Sequence, residues 1–158
     1  MEKLSADIDL QLLKLLQKDG RKSFSEISRE LEIPLNVILQ HYLDLIESGT
    51  LTIIGRIDSS KFGITAYASV LISINPKSKI YEAKKILEKI KEVSFLALVN
   101  GQCDIEVNIM CRDKEHLEAV VRDKIQTVEG VTSVAVSVYK EISKFSQPDL
   151  ESLMSSKG

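Results

Sequence analysis

Asn36 and Gln40 stand about one helical turn apart, and His41 follows directly. A carboxamide carries a donor beside an acceptor, the pattern that pairs bidentately with adenine in a major groove. His41 adds a group able to donate to a base or a phosphate. Upstream, Arg21 and Lys22 precede Ser23-Phe24-Ser25-Glu26. That tetrapeptide has the form of a capping box, in which the Ser side chain takes one free amide and the Glu side chain reaches back for another. A capped helix start with two cations beside it suits a phosphate. Lys18 belongs to the same basic group, with Lys14, Arg56 and Lys61 as scattered further candidates.

Charge runs against this chemistry. Residues 23–49 hold one Lys or Arg, Arg29, against five acids, Glu26, Glu30, Glu32, Asp44 and Glu47. The whole chain carries −2 and offers no general attraction to nucleic acid. Any DNA binding must therefore come from local placement or from oligomerisation.

Other chemistry is thinly represented. The chain has two histidines, His41 and His116, with no metal-ligand spacing, phosphate loop or nucleophile–base set. We read it as not an enzyme, with no cofactor and no metal. Cys103 and Cys111 are eight residues apart in one predicted strand. That is about 26 Å, beyond disulfide reach, so both are expected as reduced thiols. No apolar run approaches the roughly 18 residues a membrane span needs, and the start lacks a signal peptide's apolar stretch. A cytoplasmic, nucleoid-associated protein with no membrane partner is expected.

The elements that must position these groups follow from periodicity. Ser5 is predicted to cap a first helix carrying Asp7 and Asp9 in its first turn, with Ile8, Leu12, Leu15 and Leu16 inward and Gly20 as a left-handed stop. Ser23 opens a second helix with Ile27 and Leu31 inward. Glu32-Ile33-Pro34 is the turn, and Pro34 suits the start of a third helix ending at Gly49. Three helices with a tight turn between the last two form a helix-turn-helix over residues 1–50. Residues 51–57 are β-branched and predict a strand within a connector, 51–65, that pairs with a partner chain.

Residues 66–74 alternate, with Ala66, Ala68, Val70, Ile72 and Ile74 on one face. A helix follows (Ile80, Ala83, Ile86, Leu87, Ile90), then strands at 95–100 and 104–111. A second helix (Leu117 to Val128) and a last strand from Val131 complete the unit. This β-α-β-β-α-β order over residues 66–142 predicts a ferredoxin-like domain with both helices on one face of the sheet. The chain is therefore α+β: a winged-helix-like helix-turn-helix followed by that domain. Tyr67, Leu71, Met110, Ala135 and Tyr139 lie on or near the other face, half apolar, which suggests sheet-to-sheet dimerisation. The tail, 143–158, is read as either one docked helical turn through Leu150, Leu153 and Met154 or as disorder.

This combination resembles the Lrp/AsnC (leucine-responsive, feast/famine) regulators over about residues 4–140. The matching pieces are Asp7-Ile-Asp-Leu-Gln-Leu-Leu, Lys18-Asp-Gly-Arg-Lys-Ser23, residues 45–49, residues 58–63, Val99-Asn-Gly-Gln-Cys-Asp104 and Val128-Glu-Gly-Val-Thr-Ser133. Each is short; their order and spacing make the match specific. The resemblance implies a DNA-binding transcription regulator, dimeric through the C-terminal domain and assembled further into tetramers or octamers. It also implies a small effector, commonly an amino acid, held by the glycine-containing turn of Asn100, Gly101, Gln102 and Asp104. Exposed amides at Gly101 suit a carboxylate, and Asp104 suits an ammonium group. Thr132 and Ser133 would complete the site from a neighbouring subunit. A plain hairpin turn is the alternative at Gly101. Family members usually place several basic residues on the third helix, where this chain has Leu39, Gln40, His41, Leu43 and Asp44. That departure favours, as the alternative, a sensor or interaction protein that hetero-oligomerises with related regulators.

Overall fold

The computed structural model describes residues 2–155. The chain divides into two compact units, Met1–Arg56 with Phe145–Gly158, and Ile57–Lys144.

The first unit is built from α1 (Glu2–Lys18), α2 (Phe24–Leu31) and α3 (Leu35–Glu47). Leu12, Leu16, Ile27, Ile38 and Leu45 form its buried core, with Phe24 and Tyr42 at its edge. Their rings lie 4.7 Å apart between centroids, fastening α2 to α3. Ser23 caps α2 as predicted. Its backbone N–H and its hydroxyl both donate to Glu26 Oε2 (3.1 and 2.6 Å), and Glu26 N–H donates to Ser23 Oγ (3.3 Å). The turn into α3 is closed by Glu32 in the left-handed region, φ 56°. There the Ser28 hydroxyl also donates to the Ile33 carbonyl.

Two expectations are corrected. Helix α1 runs back to Glu2, so Ser5 lies within it rather than at its cap. Gly20 is not left-handed; Asp19 stops α1 instead, its carboxylate accepting from Arg21 N–H at 2.9 Å. Residues 51–57 join no ladder within this chain among the described residues; the pairing expected of them is with a partner chain. Ile53 packs beside Gly20. The tail holds a short helix, α6 (Leu150–Ser155), belonging to the first unit.

The second unit is a four-stranded antiparallel sheet ordered β2-β3-β1-β4. The strands are β1 (Ala66–Ile74), β2 (Val93–Leu98), β3 (Ile105–Cys111) and β4 (Val131–Val138). Helices α4 (Ile80–Leu87) and α5 (Lys114–Val120) cover one face, α5 continuing as a π-helical turn through Ile125. The strict alternation in β1 and β3 buries every second side chain, as a period of two requires. Val70, Ile72, Leu87, Ile105, Val107 and Ile125 are fully buried in this core. The opposite face carries Tyr67 opposite Met110, and Leu71 between Glu106 and Ala135. Ser69 Oγ donates to Glu106 there (2.9 Å), and Tyr139 OH donates to Asn108 Oδ1 (2.9 Å).

Candidate functional site

Two places gather the chemistry, one in each unit. In the first, the capped start of α2 lies directly after Arg21 and Lys22. Arg21 projects its side chain almost wholly into solvent, 95% exposed, with Asp19 Oδ1 at 3.8 Å. Lys22 is less available, being ion-paired with Glu30 on α2 and largely covered. Ser23 is consumed by its own capping box, which holds the Glu26 carboxyl below the usual glutamate range through the Ser23 hydroxyl and amide.

Helix α3 sorts its polar residues by direction. Asn36 and Gln40 are exposed, and Gln40 Nε2 donates to Asp44 Oδ1 one turn on, at 2.9 Å. His41 points the other way. Its Nδ1 lies 2.7 Å from Asp9 Oδ1 on α1, with the ring only 16% exposed. The imidazole therefore joins α3 to α1 and is turned from the face that Asn36 and Gln40 share. That face also carries Leu35, Leu39, Leu43 and Ile46, all exposed, in one row at three- and four-residue steps.

In the second unit, the turn between β2 and β3 is closed by Val99 N–H donating to the Asp104 carbonyl, 3.0 Å. Asn100, Gly101 and Gln102 are exposed at its tip. Asp104 faces inward. Its Oδ2 accepts from the Ile74 amide at 2.7 Å, and its Oδ1 is paired with the Lys77 ammonium. Those two partners, the amide first, hold its carboxyl below the usual aspartate range. Across the end of β1, Thr132 Oγ1 donates to the Ser73 carbonyl at 3.2 Å, and Ser133 sits opposite Ser73 in the ladder. The turn at 100–104 and the Thr132–Ser133 pair thus flank one strand end from its two sides, β3 on one and β4 on the other. Gly130 allows this approach: it has φ 90°, and a Cβ there would meet Lys79 Cβ at 3.1 Å.

The side chains that engage two of the candidate residues were missed in the sequence. Lys77 for Asp104 and Asp9 for His41 lie 27 and 32 residues away, and no local pattern announces either pair. Periodicity separates Leu35, Leu39 and Leu43 from the buried Ile38 and Leu45, whereas Ile46, whose spacing continues the inward stripe, is exposed. Among the described residues, no group of three or more His, Cys, Asp or Glu could hold a metal ion, and no helix is long and apolar enough to cross a membrane.

Comparison with known proteins covers both units. Residues 6–52 match the winged helix-turn-helix DNA-binding family, and residues 67–148 match the Lrp/AsnC ligand binding domain. An HTH-type transcriptional regulator of Pyrococcus abyssi, itself uncharacterized, is 31% identical over 140 residues, covering 88% of each chain. The structure of AsnC from E. coli superposes with a TM-score of 0.82 at 19% identity, covering 90% of this chain and 97% of that one. A transcriptional regulator of Neisseria meningitidis solved as an L-Met complex gives 0.78 at 19% identity, covering 88% and 92%.

Proposed function

The chain belongs to the Lrp/AsnC family of transcriptional regulators, and from that premise we propose that it acts on duplex DNA as an oligomer under the control of an amino-acid effector. It is a regulator and not an enzyme. The observation that carries the DNA reading is the juxtaposition in the first unit. The capped amide end of α2 stands beside the exposed Arg21, and α3 presents Asn36 and Gln40 to solvent. Phosphate grip then falls to Arg21, Lys22 and the α2 terminus at Ser23, and adenine contacts fall to Asn36 and Gln40. His41 serves by holding α3 on α1 through Asp9. With so few cations per head, multivalency in a dimer, tetramer or octamer supplies the remaining affinity. Cytoplasmic, nucleoid-associated localisation follows from that role.

The effector reading is supported by the ligand-binding domain and by the L-Met complex of the Neisseria relative. On this chain the candidate residues are Asn100, Gly101, Gln102 and Asp104, with Thr132 and Ser133. The exposed amides at Gly101 suit the effector carboxylate. Asp104 suits its ammonium, which would take the place now filled by Lys77.

Genome-wide immunoprecipitation of the tagged protein tests the DNA reading. Specific peaks are expected for the wild type and their loss for the Arg21→Ala/Lys22→Ala variant; peaks indifferent to both substitutions would sink it. A second reading has its own observation, the exposed row of Leu35, Leu39, Leu43 and Ile46 beside Asp44 and Glu47. It favours an interaction module that pairs with a more basic relative. Co-purification of such a relative, lost in Leu39→Ser/Leu43→Ser, would identify that function.

A further inference from the structure

The C-terminal tail belongs to the helix-turn-helix unit, although the ligand-binding domain separates the two in sequence. Three side chains fix it there, and each engages a different kind of group. Gln17 on α1 clamps the tail backbone with both ends of its amide: Nε2 donates to the Pro148 carbonyl at 2.8 Å, and Oε1 accepts from Leu150 N–H at 2.9 Å. Lys18, the last residue of α1, pairs with Glu151 on α6 at 3.0 Å. Arg56 lays its guanidinium over the Phe145 ring, 4.5 Å from the centroid. Lys18, Arg56 and Leu150 line one open groove of about 920 Å³, together with Leu16 and Leu51.

The two cations held this way are well placed for another partner. Lys18 ends α1 three residues before the exposed Arg21. Gly20, between them, lies against Ile53, where an added Cβ would be 3.6 Å from Ile53 Cγ2. The segment leading to Arg56 is thus a neighbour of the loop leading to Arg21 and the α2 terminus. We propose that Lys18 and Arg56 are two further phosphate-binding residues of the DNA-binding unit, partnered in this structure by the chain's own tail, residues 145–155. The tail presents Glu151 where a backbone phosphate would lie and holds the Phe145 ring against the Arg56 guanidinium, both cations staying exposed. Each of these interactions is exposed and individually weak, but the tail is tethered, so its local concentration is high. Duplex DNA competes by offering a line of phosphates and releasing condensed counterions. DNA affinity is therefore set partly by whether the tail is docked.

The proposal rests on the DNA-binding reading above, and its test separates the two. Binding of a mixed-sequence duplex is measured against salt for the full-length wild type and for Phe145→Ala/Glu151→Gln. The slope of log K against log salt steepens by about 0.9 for each additional phosphate neutralised, so by about 1.8 per chain. A fourfold rise in salt then costs the variant about tenfold more affinity than it costs the wild type. Adding Lys18→Gln and Arg56→Gln to the variant returns the slope to the wild-type value. Deletion of residues 145–158 provides a second route to the same steepening, should the two substitutions leave the tail in place. A wild-type slope in both tail variants overturns the masking while leaving DNA binding intact. A steep slope that survives Lys18→Gln/Arg56→Gln overturns the assignment of those residues. No binding by any of the proteins overturns this proposal and the DNA reading together.

Discussion

The two units are held together by different means. Five fully or nearly buried aliphatic side chains make the helix-turn-helix core, against sixteen buried residues beneath the sheet, counted among the described residues. In the sheet unit, cross-strand pairing and alternation specify the same arrangement many times over. The helix-turn-helix leans on single polar devices: the Ser23 capping box, the Ser28–Ile33 bond, the Asp9–His41 tie and the Gln17 clamp. A small core leaves each such device a larger share of a modest total. The unit read as touching DNA is thus the one whose stability is most easily tuned.

Calorimetry of core variants would test this contrast hardest. Ile38→Ala removes a fully buried side chain from the smaller core and is expected to cost about 2–5 kcal/mol. The helix-turn-helix transition should fall while the sheet transition stays; Ile72→Ala should do the reverse. Both transitions moving together in either variant would break the comparison. Next in size, Gly130→Ala forces a side chain into φ 90° with Lys79 Cβ at 3.1 Å and Ile74 Cγ2 at 3.3 Å. It should cost the sheet unit about 1–3 kcal/mol, seen as a drop in that transition alone.

Ser23→Ala should destabilise the helix-turn-helix by about 1 kcal/mol, and Ser23→Asp should recover most of it. If urea midpoints show no difference between these variants, the capping box is ornamental and the contrast loses its main support. Glu32→Gly acts in the opposite direction. Relief of a non-glycine residue at φ 56° should stabilise by up to about 1 kcal/mol, reduced by the greater freedom of glycine in the unfolded chain.

Glu92 gives the smallest effect, in the sheet unit. Lys124 pairs with its two oxygens at 2.8 and 2.9 Å, and His116 Nε2 lies at 3.3 Å. Hydrogen bonding from Lys124 leads the causes that hold this carboxyl below the usual glutamate range. A depressed folded value contributes stability above the ordinary glutamate range that is lost as pH falls through the depressed value. Lys124→Met should therefore lose less stability than the wild type between neutral and acid pH, by about 0–1 kcal/mol for a pair whose lysine end is screened by solvent. Thermal melts across that range are the check, and parallel pH profiles would remove Glu92 from the account.

Legibility in the sequence followed the range of the interaction. The capping box, the alternation of β1 and β3 and the helical stripe of α4 are written within a few residues, so the fold could be read from spacing. The sheet order follows from the β-α-β-β-α-β succession. What escaped was set at a distance. The end of α1 is fixed by the Asp19 side chain rather than by Gly20. The orientation of His41 is fixed by Asp9, and the engagement of Asp104 by Lys77 and Ile74. The extreme case is Gln17 with Pro148 and Leu150, separated by 131 and 133 positions. The strand expected at 51–57 is of a related kind: its residues have strand chemistry, but pairing is a property of two segments, and the second segment expected there belongs to a partner chain.

That last long-range pairing has a consequence in time as well as in space. Domains generally fold as units, N-terminal first, while synthesis proceeds at roughly 5–20 residues per second. Helices α1 to α3 are complete in the nascent chain long before residues 145–155 exist. For that interval, Gln17, Lys18 and Arg56 stand without the tail that engages them in the finished protein. The first unit of this regulator is thus the first to fold and the last to be completed.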